Sequence, residues 1–264
     1  MSLSRPHPVR PLEVGRVLAR TFGVLRRAWM VIVPVAILLE WAPNAAQSYL
    51  VQSMGDRYGG GPYGLAGLSL AWWMIFPLAD MAVVVAALAV LNGQRPRFLP
   101  VLLGAAVLFP AAVGLDLLQN LVGLAEPWLL VGVRSDVTSL ATAVIEIIYG
   151  LASAALLLPS LAAAAQERLG LRRALVRTAA LTDGNRLRIA ALAGLFLFLE
   201  MVITPVIRDM VVALFGVSPS SVAIAYLPHA LIFCFASASQ AMLYWELVRL
   251  RDGAAPGEVD AIFG

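Results

Sequence analysis

Residues 189–214 read IAALAGLFLFLEMVITPVIRDMVVAL, an almost unbroken apolar run that nevertheless carries Glu200, Thr204 and Arg208. A helix that crosses the hydrocarbon of a bilayer needs roughly 20 mostly apolar residues, so this stretch reads as a membrane span with a carboxylate inside it. Working outward, five further windows of that kind lie near residues 28–51, 65–91, 98–124, 137–165 and 222–248. Several exceed 25 residues, which predicts tilt or kinks. Pro34, Pro77, Pro110, Pro159, Pro205 and Pro228 are the candidate kink points, since a proline removes one backbone donor.

Composition agrees with this reading. Of 264 residues, 61% are hydrophobic and 13% charged, with mean hydropathy +0.85, whereas soluble chains run nearer ~25% charged. That excludes a cytosolic enzyme, a disordered chain and a coiled coil. A single cysteine, Cys234, excludes an internal disulfide framework and a multi-cysteine metal site. The expected fold class is all-α: a polytopic six-helix transmembrane bundle with amphipathic interfacial helices on the cytoplasmic side.

All nineteen basic residues are arginine. Sixteen fall in alternate segments: Arg5, Arg10, Arg16, Arg20, Arg26 and Arg27 before the first window; Arg95 and Arg97; Arg168, Arg172, Arg173, Arg177, Arg186 and Arg188; and Arg249 and Arg251. Only Arg57, Arg134 and Arg208 fall on the other side. Excess positive charge stays in the cytoplasm, so both termini are expected there. The organisation is then a cytoplasmic N-terminus over 1–27, one transmembrane domain over 28–248 with an arginine-rich loop at 166–188, and a tail over 249–264. Glu40 interrupts the first apolar run before any small-residue cleavage site, so that run is expected to be retained as a span and not cleaved.

Ahead of it, Val14, Val17, Leu18, Thr21, Phe22 and Leu25 recur at helical spacing opposite Glu13, Arg16, Arg20 and Arg27. Such a helix suits the headgroup plane, where anionic lipid attracts each arginine; alternatively its apolar face packs on the bundle. A second amphipathic segment places Leu171, Ala174, Leu175 and Thr178 against Arg172, Arg173 and Arg177. Thr182, Asp183, Gly184 and Asn185 then read as a turn, with Gly184 in the left-handed region. Arg16, Arg20, Arg27, Arg172, Arg173 and Arg177 form the candidate surface for anionic lipid headgroups or an acidic protein partner. No aromatic residues interleave with them, so nucleic acid is not expected.

The stretch Pro159–Leu192, PSLAAAAQERLGLRRALVRTAALTDGNRLRIAAL, resembles the membrane domain associated with bacterial glycerophosphodiester phosphodiesterases and its stand-alone relatives. The matching residues are Pro159, Glu167, Gly170, Ala174, Leu175, Arg177, Leu181, Thr182 and Gly184. A second marker, a tyrosine followed by an acid and arginines at the end of the last helix, is similar to Tyr244, Glu246, Arg249 and Arg251. Thr178 stands where serine is usual and Leu187 where an aromatic is frequent. The resemblance implies a six-helix bundle in the bacterial inner membrane and no catalysis, because the phosphodiesterase site belongs to a separate barrel domain. About sixteen residues follow the last window, so a relative lacking that domain is expected.

A faint internal echo accompanies the motif. Leu18, Arg20 and Thr21 resemble Leu175, Arg177 and Thr178, and Glu40 and Glu200 follow at comparable distances. This suggests a parallel repeat of a surface helix plus two spans.

Five windows each contain an acid: Glu40, Asp80, Asp116, Glu146 and Glu200. An ionised carboxylate at mid-bilayer costs on the order of 3 kcal/mol, so these groups are expected to face the bundle interior or to be protonated. Polar stripes support the first option. Glu40, Asn44 and Gln47 share a helix face, as do Asp116, Gln119 and Asn120. Thr138, Thr142, Glu146, Tyr149 and Ser153 form another, and Glu200, Thr204 and Arg208 a fourth. At 1.5 Å per residue, Asp116, Glu146, Arg208 and His229 lie roughly 9 to 14 Å deep, Glu40 slightly deeper, and Asp80 and Glu200 near ~21 Å. This predicts an outer polar layer and an inner acidic pair, with Arg208 paired to Glu146 or Asp116.

The candidate cavity is therefore Glu40, Asn44, Asp80, Asp116, Asn120, Glu146, Glu200, Arg208 and His229. It would bind or translocate a proton, a cation or a lipid headgroup. In the other reading the acids are interhelical glue, and the protein is a scaffold acting through its arginine-rich face. Enzyme activity is not expected, nor a cofactor or metal: no D-x-x-D occurs, and neither His7 nor His229 has metal-ligand spacing. Cys234 reads as core filler, and Trp72, Trp73 and Trp128 as packing or interface anchors. The Gly59–Gly61 run lacks the Lys-Ser/Thr of a phosphate cradle.

Overall fold

A computed structural model describes residues 11–54, 74–121 and 136–252. His7, Arg5, Arg10, Arg57, the Gly59–Gly61 run, Trp72, Trp73, Trp128, Arg134 and the tail beyond Asp252 lie outside the described residues, as do the side chains of Thr138 and Thr142. Every described element is helical. Five helical runs are long and apolar enough to cross a membrane: Val14–Leu50, Phe98–Gln119, Val144–Glu167, Arg186–Phe215 and Pro219–Arg251.

The chain begins with α1 (Val14–Ala36), passes through a π-helical segment (Ile37–Trp41) and continues as α2 (Ala42–Met54). No glycine or proline separates Arg26 from the apolar residues after it. The amphipathic segment and the first span therefore form one helix, where a separate surface helix was expected. The 37 residues of its Val14–Leu50 run alone would extend about 55 Å at 1.5 Å each, well beyond the ~30 Å hydrocarbon, so part of it must stand outside. Val17, Thr21, Val24 and Ala28 are fully buried, and the helix packs on the last helix of the chain. The apolar face thus meets the bundle, with Phe22 as the exposed exception.

Next comes α3 (Phe76–Leu91), a shorter apolar helix. Met81 through Val84, Ala86 and Ala87 have no exposed surface, and a helix buried all round is apolar all round. Its alanines and valines allow neighbours on every side. These are α1, α4 (Phe98–Gln119), α6 (Ser160–Glu167) and α11 (Leu227–Asp252).

Prolines set most of the remaining boundaries. The fourth window is two helices, α5 (Asp136–Leu157) and α6, separated at Pro159, which caps α6. The sixth is α10 (Pro219–Ala225) and α11, with Pro228 in the first turn of α11. Pro110 stays inside α4. Between them lie α7 (Leu171–Leu181), α8 (Arg186–Phe198), a second π-helical segment (Leu199–Ile203) and α9 (Thr204–Phe215). Gly184, in the turn between α7 and α8, has φ +77°, as the turn reading predicts. Arg168 takes the left-handed position after α6, at φ +51°.

The arginine-rich segments meet at one end of the bundle. Leu12 N–H donates to Asn185 Oδ1 at 2.9 Å, Asn92 Nδ2 to Gln166 Oε1 at 3.0 Å, Arg20 to Glu246 and Arg177 to Glu167.

Candidate functional site

Both π-helical segments end two residues before a proline, and the residue capping each immediately precedes that proline. Ala42 N–H donates to Ile37 O, ahead of Pro43, and Thr204 N–H donates to Leu199 O, ahead of Pro205. These bonds span five residues where an α-helix spans four. The proline cannot donate, and its ring crowds the preceding turn; a wider turn relieves the crowding, and such turns recur at functional sites. Each segment carries one acid, Glu40 in the first and Glu200 in the second. The two glutamates of the faint internal echo thus occupy the same local backbone geometry in two separate helices.

The two carboxylates converge on one imidazole. His229, in the first turn of α11, places Nε2 at 2.6 Å from Glu40 Oε1 and Nδ1 at 2.8 Å from Glu200 Oε2. Asn44 Nδ2 donates to the same Glu40 oxygen at 2.9 Å, so the Glu40–Asn44 stripe is realised. Tyr226 stacks edge-on to the ring, with centroids 6.2 Å apart. Each nitrogen–oxygen contact needs a hydrogen. Either an imidazolium lies between two carboxylates, or a neutral imidazole faces one carboxylate and one carboxylic acid. Both arrangements leave one net negative charge, and they differ only in where a proton sits.

Two further acids follow in turn, Asp80 near Glu40 and Asp116 near Asp80. Asp80 on α3 accepts from Gln240 Nε2 of α11, at 3.1 and 3.3 Å to its two oxygens. It lies near enough to Glu40 for their charges to interact, with Ser237 beside it. Asp116 on α4 accepts from Asn120 Nδ2 at 2.9 Å and is close enough to Asp80 to feel its charge. The expected inner pair of Asp80 and Glu200 does not form, because Glu200 turns to His229 and Asp80 to Gln240.

Arg208 also departs from expectation. It pairs with its neighbour Asp209, Nε to Oδ1 at 3.0 Å, in place of Glu146 or Asp116. An adjacent acid on the same helix needs no approach of a second one. Thr204 leaves the Glu200 stripe as well, its hydroxyl reaching Leu199 O at 3.4 Å. Glu146 stands half-buried on α5, whose Tyr149 hydroxyl donates to Leu118 O.

At the arginine-rich end, six expected surface arginines divide into two kinds. Arg20 pairs with Glu246 at 2.5 Å, with only 17% and 4% of the two side chains exposed. Arg177 Nε meets Glu167 Oε1 at 2.7 Å, and Tyr244 O–H donates to that same oxygen at 2.8 Å. These two arginines brace the bundle through those ion pairs. Arg16, Arg27, Arg172 and Arg173 are exposed, Arg16 beside Glu13 at 2.8 Å. Arg172 and Arg173 border an open groove of about 530 Å³ with Glu167, Leu169, Val176 and Arg177.

Gln240 and Ser237 were not among the candidates from sequence. Their signal was available: they follow His229 by eleven and eight residues, on the same helical face. Among the described residues no cluster of three His, Cys, Asp or Glu side chains converges as a metal site would require. Cys234 is buried. Comparison of the chain with protein-family models, curated proteins and solved structures returned no match.

Proposed function

We propose that this protein binds protons within the membrane and passes them across it, with Glu40, His229 and Glu200 as the proton-bearing centre. The reading rests on one observation: an imidazole held at both nitrogens by carboxylates from two different helices, each in a π-helical segment beside a proline. Imidazole exchanges protons near neutral pH, and ionisable groups inside a membrane mark ion or proton pathways more often than structure. A metal cation fits less well, since the two ring nitrogens point apart and the carboxylates sit at opposite edges of the ring. A lipid headgroup fits less well because Glu40 is only 2% exposed and the centre is net negative.

In this proposal the chain crosses the bacterial inner membrane six times, with α3 completing the second crossing and both termini in the cytoplasm. The meeting of the arginine-rich segments at one end supports that topology, and the resemblance to phosphodiesterase membrane domains supports a role without catalysis. A second reading, organisation of anionic lipid or an acidic partner by the arginine face, draws support from Arg172 and Arg173 beside their groove.

The test is reconstitution into liposomes under an imposed pH gradient. The wild-type protein should dissipate the gradient, and Glu40→Gln, Glu200→Gln and His229→Leu should each slow it at least tenfold while remaining monodisperse. Variants that lose thermal stability and leave flux unchanged would identify the triad as interhelical glue.

A further inference from the structure

One face of α11 carries His229, Ser237, Gln240 and Tyr244, at intervals of i, i+8, i+11 and i+15. Acids from other helices meet this face in succession. Glu40 and Glu200 take His229, Asp80 takes Gln240, and Glu167 takes Tyr244. About 16 Å of helix axis separates His229 from Gln240, so the polar face extends well past the triad toward the arginine-rich end.

Four oxygens among these groups and the neighbouring Asp116 are buried and accept no hydrogen bond: Glu40 Oε2, Glu200 Oε1, Gln240 Oε1 and Asp116 Oδ2. Gln240 is 7% exposed and Glu40 2%. A buried acceptor without a donor is disfavoured, and here the residues bearing three of them interact with one carboxylate, Asp80: Gln240 by hydrogen bond, Glu40 and Asp116 through their charges. Gln240 spends its amide N–H on Asp80, and its carbonyl oxygen is left buried without a donor. A proton on a carboxyl of this group would supply the missing donor.

We infer that Asp80 is a second proton-binding station, exchanging a proton with Glu40 and held in place for that exchange by Gln240. The inference rests on the proposed role of the triad. In the step, the O–H bond of a protonated Glu40 carboxyl breaks and an O–H bond to an Asp80 oxygen forms. Glu40 becomes a carboxylate, Asp80 a carboxylic acid, and the net charge of the pair is unchanged. Besides Glu40, the ionisable group facing Asp80 is Asp116; Ser237 and Gln240 are its neutral neighbours. Gln240 is a positioning residue, because its amide has no proton to give up.

The experiment is infrared difference spectroscopy of the full-length protein in liposomes, stepped between acid and alkaline pH, with gradient dissipation measured on the same samples. A carboxylic acid carbonyl band should disappear in Asp80→Asn, and flux should fall at least tenfold, while the His229 ring signal still responds to pH. Gln240→Met should retain the band, shift it upward in frequency through loss of the amide donor, and slow flux severalfold. If Asp80→Asn fails to fold, the Gln240→Met band shift decides, and an unshifted band overturns the inference. A band unchanged in a folded Asp80→Asn also overturns it. Wild-type protein with no flux and a band that Asp80→Asn abolishes would sink the transport reading and leave proton binding at Asp80 standing.

Discussion

The two glutamate-bearing helices use the same local device in different surroundings. Glu40 is 2% exposed, shares an oxygen with Asn44 and lies within a single helix running from Val14 to Met54. Glu200 keeps 31% of its side chain exposed, gains no hydrogen bond from Thr204, and follows a helix interrupted by the turn at Gly184. Similar backbone geometry has thus yielded one fully buried and one partly exposed glutamate side chain on the same imidazole. The difference teaches that a π turn beside a proline sets where an acid points, whereas the packing around it sets what the acid can reach. Glu40 is the inner member, adjoining Asp80, and Glu200 the outer.

The largest effect should come from removing what the two share. His229→Leu leaves two carboxylates facing a hydrocarbon side chain, and the loss of stability should reach about 3 to 5 kcal/mol, as for breaking a buried ion pair. Thermal unfolding in nanodiscs measures it; a loss of less than ~1 kcal/mol would mean the contacts contribute no more than an ordinary intramembrane hydrogen bond. Substituting one acid at a time sharpens the contrast. Glu40→Gln should cost about 3 kcal/mol and Glu200→Gln about 1 kcal/mol, since the partly exposed Glu200 side chain gives up less of a buried pairing. Equal losses would remove the distinction between inner and outer members.

The arginines that echo each other form a parallel pair of tests. Arg20→Ala leaves a Glu246 side chain that is 4% exposed with Arg249 at 3.9 Å, whereas Arg177→Ala leaves a Glu167 side chain that is 29% exposed and keeps its 2.8 Å bond from Tyr244. Losses of about 3 and about 1 kcal/mol should follow, read from the same unfolding curves. The smallest effect on stability should come from Pro43→Ala and Pro205→Ala. Each restores a backbone donor, and stability should change by no more than ~1 kcal/mol. Flux should nevertheless fall severalfold, as an α turn replaces the π turn and rotates the acid away from His229. Unaltered flux in both would show that the prolines do not set the register of the glutamates.

Much of the site was legible because burying charge in a membrane is costly enough to single out the residues that bear it. Glu40, Asp80, Glu200 and His229 stood out from their apolar windows, and the Glu40–Asn44 and Asp116–Asn120 pairs followed from helical spacing alone. Pairings between helices were not legible. Arg208 was matched by depth to Glu146 or Asp116, but depth says nothing of azimuth, and its neighbour Asp209 met the demand locally. The same limit separated Asp80 from Glu200, which share a depth and not a face.

By itself the sequence determined the class of element: runs this apolar read as helices long enough to cross a bilayer, because a backbone without water has to satisfy its own hydrogen bonds, and five such runs are present among the described residues. It also marked the helix interruptions, since a proline withholds a donor wherever it stands. Only the tertiary structure decided that the amphipathic N-terminal segment would turn its face to the bundle, that Arg20 and Arg177 would become internal braces, and that two distant glutamates would close on one histidine. Those outcomes depend on the rotation of each helix about its own axis. That rotation is chosen by packing among all the helices at once, and no single stretch of chain encodes it.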